Sequence, residues 1–154
     1  MNLGLLARLF LKETKTFKAL IQKPHHRNII QYHGYIVHQR HITSIVLNQC
    51  LKTLKGQLRK GAHNFNKRLY MDGIKSGVKY LHSLRYTHND LNLSNIIVGE
   101  DNTPIIIDLG SCKHFSKAFI SRGIYGWIDE DFITSKWRHD KAALIKLWEW
   151  FKKK

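Results

Sequence analysis

The stretch that decides the fold runs from residue 88 to residue 110 and reads HNDLNLSNIIVGEDNTPIIIDLG. Two β-branched runs, 96–98 and 105–107, flank six residues that favour a turn, and this pattern predicts a β-hairpin. In an antiparallel hairpin, the residue before the first strand lies beside the residue after the second. Asn95 and Asp108 are therefore expected to converge at the open end and to bring two oxygen ligands together.

The rest of the chain alternates between helical and strand periodicity. Apolar residues at three- and four-residue spacing predict helices over 3–22, 51–59, 66–84 and around 144–151. Two further runs, 29–37 and 42–47, have the composition of strands joined by a turn. A chain of 154 residues with 43% hydrophobic content is one domain's worth of sequence, so a single α+β domain is expected.

The chain is strongly basic, with a formal net charge of +15. Such a charge suggests an anionic partner. The lysines and arginines are spread over most of the sequence, however, with no repeated arginine motif and no aromatic ladder between them. A solvated basic surface is expected, and no specific nucleic-acid partner is predicted.

Cysteine and histidine usage indicates a reducing compartment and no zinc site. Cys50 and Cys112 lie far apart, without C-x-x-C spacing. The histidines crowded between residues 25 and 41 are irregularly spaced and are expected at the surface. The leucine-rich start lacks a basic region and a cleavage site, and no apolar run reaches bilayer length. We expect a monomer with no membrane segment, in the cytoplasm or the nucleus.

One carboxylate lies on the apolar side of the first predicted helix. Glu13 falls midway between Phe10 and Phe17, and a carboxylate is costly to bury there unless it meets a cation. Lys12 and Lys15 are poorly placed to reach it from the same helix. Glu13 is therefore expected either to have a functional partner or to lie at a wet part of the helix.

The segment 88–95 resembles the H-R-D-L-x-x-x-N catalytic loop of eukaryotic protein kinases. Asp108-Leu109-Gly110, which begins thirteen residues after Asn95, is similar to the kinase D-F-G triplet. Gly126-Trp127 and the ending Trp148-Glu149-Trp150 are most similar to divergent fungal kinase-like proteins.

The resemblance extends upstream of the catalytic loop. Residues 13–20 resemble the αC helix with its ion-pairing glutamate, Glu13, and residues 26–30 resemble the H-P-N-I-V turn that follows it. Residues 45–50 resemble the strand and hinge whose backbone binds adenine. The hinge positions are Asn48, Gln49 and Cys50.

The resemblance implies a truncated protein kinase-like fold. Residues 1–50 would form a partial amino-terminal lobe, with the αC helix, two strands and the hinge, and residues 51–154 would form the first half of the helical carboxy-terminal lobe. The implied cofactors are ATP and Mg²⁺. The implied partner is a protein substrate or a scaffold protein.

The resemblance also implies a role for each site residue. Asp90 would accept a hydrogen bond from the substrate hydroxyl, and His88 would hold the loop in place. Asn95 and Asp108 would hold magnesium, and Glu13 would take part in binding the nucleotide.

Several positions depart from the kinase pattern. No glycine-rich loop and no V-A-I-K lysine precede Glu13, so activity is expected to be weak or absent in this chain. Asn89 replaces an arginine that pairs with an activation-loop phosphate. Asn92 and Leu93 replace the lysine and proline typical of serine/threonine kinases.

Three functions remain open at this stage. The first is ATP-dependent phosphoryl transfer to a protein hydroxyl. The second is phosphoryl transfer to a small molecule, as in aminoglycoside or choline kinases, which also use H-x-D-x-x-x-x-N. The third is a pseudokinase without catalysis, or a basic interaction module. Magnesium-dependent ATP binding separates the third from the other two.

Overall fold

The computed structural model describes residues 3–20, 22–49, 52–59, 66–115 and 137–153. The helices are α1 (Leu3–Leu20), α2 (Leu54–Arg59), α3 (Lys67–Ser83) and α4 (Trp137–Lys152). The strands are β1 (Tyr32–His38), β2 (His41–Leu47), β3 (Tyr86–Thr87), β4 (Ile96–Val98), β5 (Pro104–Ile106) and β6 (Lys113–His114). Short 3-10 turns cover Leu93–Asn95 and Leu109–Ser111. The predicted α+β class is confirmed.

The strands form three antiparallel pairs, β1–β2, β3–β6 and β4–β5. The hairpin predicted from the two β-branched runs is confirmed, with Ile96 opposite Ile106 and Val98 opposite Pro104. Its second strand begins one residue earlier than predicted, at Pro104, which lies opposite Val98. Proline is tolerated at the first position of a strand, and the Pro104 carbonyl accepts a 2.8 Å hydrogen bond from Asn28 Nδ2.

The prediction of one strand over residues 29–37 was wrong at its beginning, because β1 starts at Tyr32. Ile29 instead forms a parallel bridge with Ile106, and the Ile30 N–H donates a 2.9 Å hydrogen bond to the Ile106 carbonyl. These residues therefore pair with the central hairpin and connect it to the segment after α1.

Helix α3 is the centre of the packing. Asn66 caps its start by accepting a 3.0 Å hydrogen bond from the Leu69 N–H, which satisfies one of the free amides of the first turn. The helix packs against β5 and α4. Gly77 faces the hairpin so closely that a Cβ atom there would lie 2.9 Å from the Asn28 carbonyl oxygen and 2.9 Å from Ile106 Cδ1.

The buried core is one cluster that joins α3, the hairpin β4–β5, the segment 88–95 and α4. Its fully buried members include Leu54, Ile74, Leu81, Ile96, Ile106, Leu109, Leu147 and Phe151. This core fixes the ends of the strands and helices from which the polar residues of the next section project. Within the described ranges, no helix is long and apolar enough to cross a membrane.

Candidate active site

The open end of the β4–β5 hairpin brings the segment 88–95 beside the turn Leu109–Ser111. The Ile107 N–H donates a 2.9 Å hydrogen bond to the Asn95 carbonyl, which extends the pairing one residue past the strands. Asn95 therefore lies opposite the residue that precedes Asp108. The two residues reach the same end of the hairpin because the strands between them are equal in length.

Asp140, on α4, anchors the loop that carries the site. Its Oδ2 accepts hydrogen bonds from the His88 N–H at 2.9 Å and from His82 Nε2 at 2.8 Å, and its Oδ1 accepts one from the Asn89 N–H at 2.9 Å. The residue is fully buried. A buried carboxylate is stable only when its oxygens accept hydrogen bonds, and these three donors provide them.

His88 connects the two halves of the site through its ring. Nε2 lies 2.9 Å from the carbonyl oxygen of Ile107, and Nδ1 accepts a 3.3 Å hydrogen bond from the Asp90 N–H. Because a carbonyl can only accept, Nε2 carries the proton and Nδ1 does not. The side chain is fully buried. A neutral His88 ring therefore links Asp90 to Ile107, the residue that precedes Asp108.

Two amides hold the Asp90 carboxylate in one orientation. Asn92 Nδ2 lies 3.2 Å from Asp90 Oδ1 and 3.0 Å from the Asp90 carbonyl oxygen. Asn95 Nδ2 lies 3.0 Å from Asp90 Oδ2 and 2.8 Å from the same carbonyl. Asn92 also caps the 3-10 turn, since its Oδ1 accepts a 2.9 Å hydrogen bond from the Ser94 N–H. Both amides are buried, so Asp90 is oriented by rigid neighbours.

Asp108 has a backbone conformation that few residues other than glycine adopt. Its φ of 58° and ψ of 69° lie in the left-handed region, and its Oδ1 accepts a 3.3 Å hydrogen bond from the Gly110 N–H. A left-handed backbone is uncommon at residues other than glycine and is found at turns and at functional sites. The Asp108 side chain is exposed, whereas the next residue, Leu109, is fully buried and fastens the turn to the core.

Glu13 projects from α1 toward this turn. Burial raises the pKa of the Glu13 carboxyl, and the negative charge of Asp108 raises it further. A Cβ atom on Gly110 would lie 3.9 Å from the Glu13 carboxyl carbon. In the described part of the chain, no lysine, arginine or histidine forms an ion pair with Glu13. The site thus holds two neighbouring carboxylates, Glu13 and Asp108, that form no ion pair with any described residue.

Helix α1 is attached to the site by packing as well as by charge. It packs against the turn Leu109–Ser111. Phe17, one helical turn after Glu13, is buried and stacks on Tyr32 with ring centroids 5.0 Å apart. The position of the Glu13 carboxylate is therefore coupled to the first strand of the β1–β2 hairpin.

Asn89 fills the position at which the kinase pattern has an arginine. Its Nδ2 donates hydrogen bonds of 3.1 Å to the carbonyls of Thr87 and Ser111, and its Oδ1 lies 3.1 Å from His139 Nδ1. A neutral amide thus ties the segment 88–95 to the turn after Asp108 and to α4.

The protein kinase domain family matches residues 8–138, which is most of the sequence. The chain belongs to this family. The matched residues include α1 from residue 8 onward, the hairpins β1–β2 and β4–β5, α3 and the segment 88–110. The residues that resemble kinase motifs are therefore arranged in the order and the fold context of a kinase domain.

Known kinases from animals and plants are similar to this kinase domain. Inactive serine/threonine-protein kinase PLK5 of Mus musculus is 32% identical over 95 residues, 60% of this chain and 16% of its own length. Mitogen-activated protein kinase kinase kinase 1a of Physcomitrium patens is 28% identical over 148 residues, 92% of this chain and 19% of its own. Serine/threonine-protein kinase polo of Drosophila melanogaster is 38% identical over 78 residues, which are 49% of this chain and 13% of its own length. The chain spans less than a quarter of the length of each.

The segment predicted to be the hinge of this kinase domain, residues 48–50, is described in part. The Asn48 N–H donates a 3.2 Å hydrogen bond to the Gln31 carbonyl, and the Asn48 side chain contacts Gln31 and His33. Gln49 is exposed. Cys50, the third predicted hinge residue, lies outside the described residues.

The residues at the hairpin mouth of the kinase domain fit a magnesium ion. Because Asn95 Nδ2 donates to Asp90, its Oδ1 is the atom left for a metal, and Asp108 keeps Oδ2 free of the bond to Gly110. These are the hard oxygen donors that Mg²⁺ prefers, and Mg²⁺ keeps water or phosphate oxygens as its other ligands. Across the ranges that the structure describes, no group of three His, Cys, Asp or Glu side chains offers an all-protein metal cage.

Sequence reasoning missed two residues that shape this site. Asn92 was treated only as a replacement for lysine, although its position two residues after Asp90 and just before the Leu93–Asn95 turn is typical of a capping asparagine. Asp140 is the second, because the sequence contains no local signal that a residue about fifty positions downstream supports His88. That contact depends on tertiary packing.

Proposed function

We propose that this kinase domain is arranged for ATP-dependent phosphoryl transfer to a hydroxyl group of a protein. The proposal rests on one observation above all, the Asp90 carboxylate held by the amides of Asn92 and Asn95. A carboxylate in a fixed orientation can accept a hydrogen bond from a hydroxyl and direct its oxygen toward a phosphorus atom.

The other residues position the reactants in this proposal. Asn95 Oδ1 and Asp108 would hold Mg²⁺, which when bound neutralises charge on the phosphate oxygens. The backbone of Asn48, Gln49 and Cys50 would bind the adenine. His88 and Asp140 would keep the loop in register with Asp108.

We infer that activity is low in the 154-residue chain. Phosphoryl transfer depends on positive charge around the phosphates, and Glu13 adds negative charge beside Asp108 without a paired cation among the described residues. Asn92 is neutral where serine/threonine kinases carry a lysine. Both features reduce the stabilisation of the transferring phosphoryl group.

The choice of a protein substrate is supported by the relatives, whose names are those of protein kinases. A second candidate is a kinase-like module that does not catalyse transfer. It is favoured by Glu13 and Asp108, which form no ion pair among the described residues, and one relative is named as inactive. Both candidates place residues 1–50 and 51–154 in the amino- and carboxy-terminal lobes of one kinase domain.

The proposal is tested by nucleotide binding followed by transfer. Thermal shift is measured with ATP and magnesium, and a clear stabilisation that is lost in Asp108→Asn but kept in Asp72→Asn supports the nucleotide site. Asp72 is an exposed aspartate on α3 and serves as the matched control. Labelled phosphate transfer to a mixed protein substrate and to hydroxylated small molecules then separates the substrate classes.

Transfer to protein that disappears in Asp90→Asn supports catalysis. Nucleotide binding without transfer would assign the chain to the second candidate, a kinase-like module that does not catalyse transfer. Nucleotide binding that is unchanged in Asp108→Asn would contradict the proposed metal site.

A further inference from the structure

One histidine of the α1–β1 loop, residues 22–31, is in contact with both α3 and the loop backbone. The His26 ring stacks on the Tyr80 ring of α3, with centroids 4.9 Å apart and planes inclined by 23°. Its Nε2 lies 3.2 Å from Ser76 Oγ, also on α3. Its Nδ1 lies 3.2 Å from the backbone nitrogen of Asn28. The ring therefore connects α3 to the backbone at Asn28.

The contact with Asn28 determines the protonation state of the His26 ring. A backbone N–H can only donate, so Nδ1 accepts this hydrogen bond and carries no proton. The proton of the neutral ring is then on Nε2, which donates it to the Ser76 hydroxyl. A second proton on Nδ1 would face the Asn28 N–H, and two donors cannot bond to each other. The observed contact therefore requires a neutral His26.

Asn28 is itself bound to the β4–β5 hairpin. Its Nδ2 donates a 2.8 Å hydrogen bond to the Pro104 carbonyl, and its own carbonyl accepts a 2.9 Å hydrogen bond from the Ile106 N–H. Asn28 is buried, so a backbone N–H at this position is costly to leave without an acceptor. The loop is thus attached to the hairpin from Asn28 onward.

The part of the loop before Asn28 is attached to α3 instead. The Tyr80 hydroxyl donates a hydrogen bond to the Pro24 carbonyl, and burial raises the pKa of Tyr80, so the hydroxyl keeps its proton. The bond from Asn28 to His26 therefore joins a segment held by α3 to a segment held by the hairpin. Loss of this bond would separate the two segments while each keeps its own attachment.

The charges around His26 disfavour a proton on its ring. Burial lowers the pKa of His26, and the neighbouring His25 and Arg27 lower it further. Arg27 forms an ion pair with Asp101, in the turn between β4 and β5, with Nη2 and Oδ2 3.0 Å apart. The other exposed charged residues near these contacts in the sequence are Lys23 in the loop and Asp72, Lys75 and Lys79 on α3. Three of these four are cations, which also oppose a further positive charge.

We propose that His26 is a pH-sensitive contact of this fold, whose neutral ring holds the α1–β1 loop closed against Asn28 and whose protonation breaks that bond. The charged ring can stay on Tyr80, since an aromatic face also attracts a cation. The Asn28 N–H loses its acceptor, and residues 23–26 are no longer bonded to the segment that the hairpin holds. The contact is closed at neutral pH and opens on acidification. The proposal does not depend on nucleotide binding or on phosphoryl transfer.

The first test follows the His26 ring by NMR in the unmodified chain. The ring is expected to titrate at a lower pH than that of His38, an exposed histidine on β1, and its nitrogen shifts should show an unprotonated Nδ1 at neutral pH. A His26 ring that titrates together with His38 or above it, or whose neutral form carries its proton on Nδ1, would overturn the proposal.

Hydrogen exchange of the same chain tests whether the bond opens. The protection factor of the Asn28 amide is expected to fall at least about fivefold between about pH 7.5 and about pH 5.5. The Ile107 amide, which is bonded to the Asn95 carbonyl at the other end of the hairpin, should keep its protection factor. Equal changes at Asn28 and Ile107, or no change at either, contradict the opening.

His26→Asn separates the titration of the ring from the rest of the contact. The asparagine Oδ1 can take the place of Nδ1 as the acceptor for the Asn28 N–H, but it does not titrate. The neutral ring is favoured in the folded state, so the contribution of His26 to stability is full above its unfolded pKa and is lost as the pH falls below that value. The melting temperature of His26→Asn is therefore expected to fall less between about pH 7.5 and about pH 5.5 than that of the original chain.

His38→Asn is the matched control and is expected to keep the pH dependence of the original chain. The comparison uses the change with pH, because asparagine also loses the stacking on Tyr80. Equal pH dependence of the His26→Asn and His38→Asn variants would overturn the proposal. The NMR titration and the hydrogen exchange need no substitution, so they decide the matter even if His26→Asn does not fold.

Discussion

Asp140 Oδ2 accepts a 2.9 Å hydrogen bond from the backbone N–H of His88, across fifty-two residues of sequence. The same carboxylate accepts from the Asn89 N–H and from His82, so a single buried side chain on α4 determines where the catalytic segment begins. The Asp90 that follows takes its position from this contact and from the neutral ring of His88.

Replacing Asp140 is therefore expected to be strongly destabilising. Asp140→Asn keeps the shape of the side chain, but an NH₂ group replaces one of the carboxylate oxygens and then faces an N–H donor. We expect this variant to lose about 3 kcal/mol of unfolding free energy. For a chain of this size, that lowers the melting temperature by roughly 6–12 °C. Thermal denaturation measures it, with Asp72→Asn as the control because Asp72 is an exposed aspartate on α3. Equal melting temperatures for the two variants would contradict the anchoring role.

Asn92→Asp tests whether the amide orients Asp90. The new carboxylate still caps the Ser94 N–H, but it no longer donates to Asp90 and instead repels it. We expect a loss of about 2 kcal/mol at pH 7. Repulsion raises the pKa values of both carboxyls in the folded state, so the loss shrinks as the pH falls to about 4.

Urea denaturation at both pH values measures this difference. Asn102→Asp, in the exposed turn between β4 and β5, is the matched control and is expected to show little change at either pH. A loss for Asn92→Asp that is the same at both pH values would rule out repulsion by Asp90 as its cause.

Glu13→Gln is expected to stabilise the chain at neutral pH. Burial and Asp108 raise the pKa of Glu13 above its unfolded value, so the folded state binds more protons than the unfolded state. The contribution of Glu13 to stability is then full below the unfolded pKa and declines as the pH rises through the folded pKa. Glutamine does not ionise and removes this decline.

The melting temperature of Glu13→Gln should exceed that of the original chain at pH 7, and the two should coincide at about pH 4. Glu100→Gln, at an exposed turn, provides the comparison. A variant that melts lower at pH 7 would show that Glu13 has a stabilising partner. Asp108→Asn should reduce the effect of Glu13→Gln, because it removes the neighbouring charge.

Gly77→Ala tests the close contact between α3 and the central hairpin. Alanine favours a helix over glycine by about 1 kcal/mol, yet its Cβ would press on the Asn28 carbonyl and on Ile106. Because the carbonyl belongs to a backbone held by β5, we expect a net loss of about 1–3 kcal/mol by chemical denaturation. Lys75→Ala, at an exposed position of the same helix, should change stability little. A Gly77→Ala variant that is more stable than the original chain would show that α3 and the β4–β5 hairpin can move apart without a loss of unfolding free energy.

The sequence by itself determined the elements and the local chemistry of this kinase domain. The hairpin over residues 96–107 and helix α3 followed from side-chain periodicity, and the motif spacing placed Asn95 and Asp108 at one end of that hairpin. These features depend on neighbours a few residues apart, which is the range over which backbone preference and amphipathic pattern act. The tertiary structure alone decided that Asp140 supports His88, that Ile29 pairs with Ile106, and that Glu13 lies near Asp108. Those contacts join segments from 52 to 95 residues apart, so they arise from the packing of the whole core and have no signature in any local stretch of the chain.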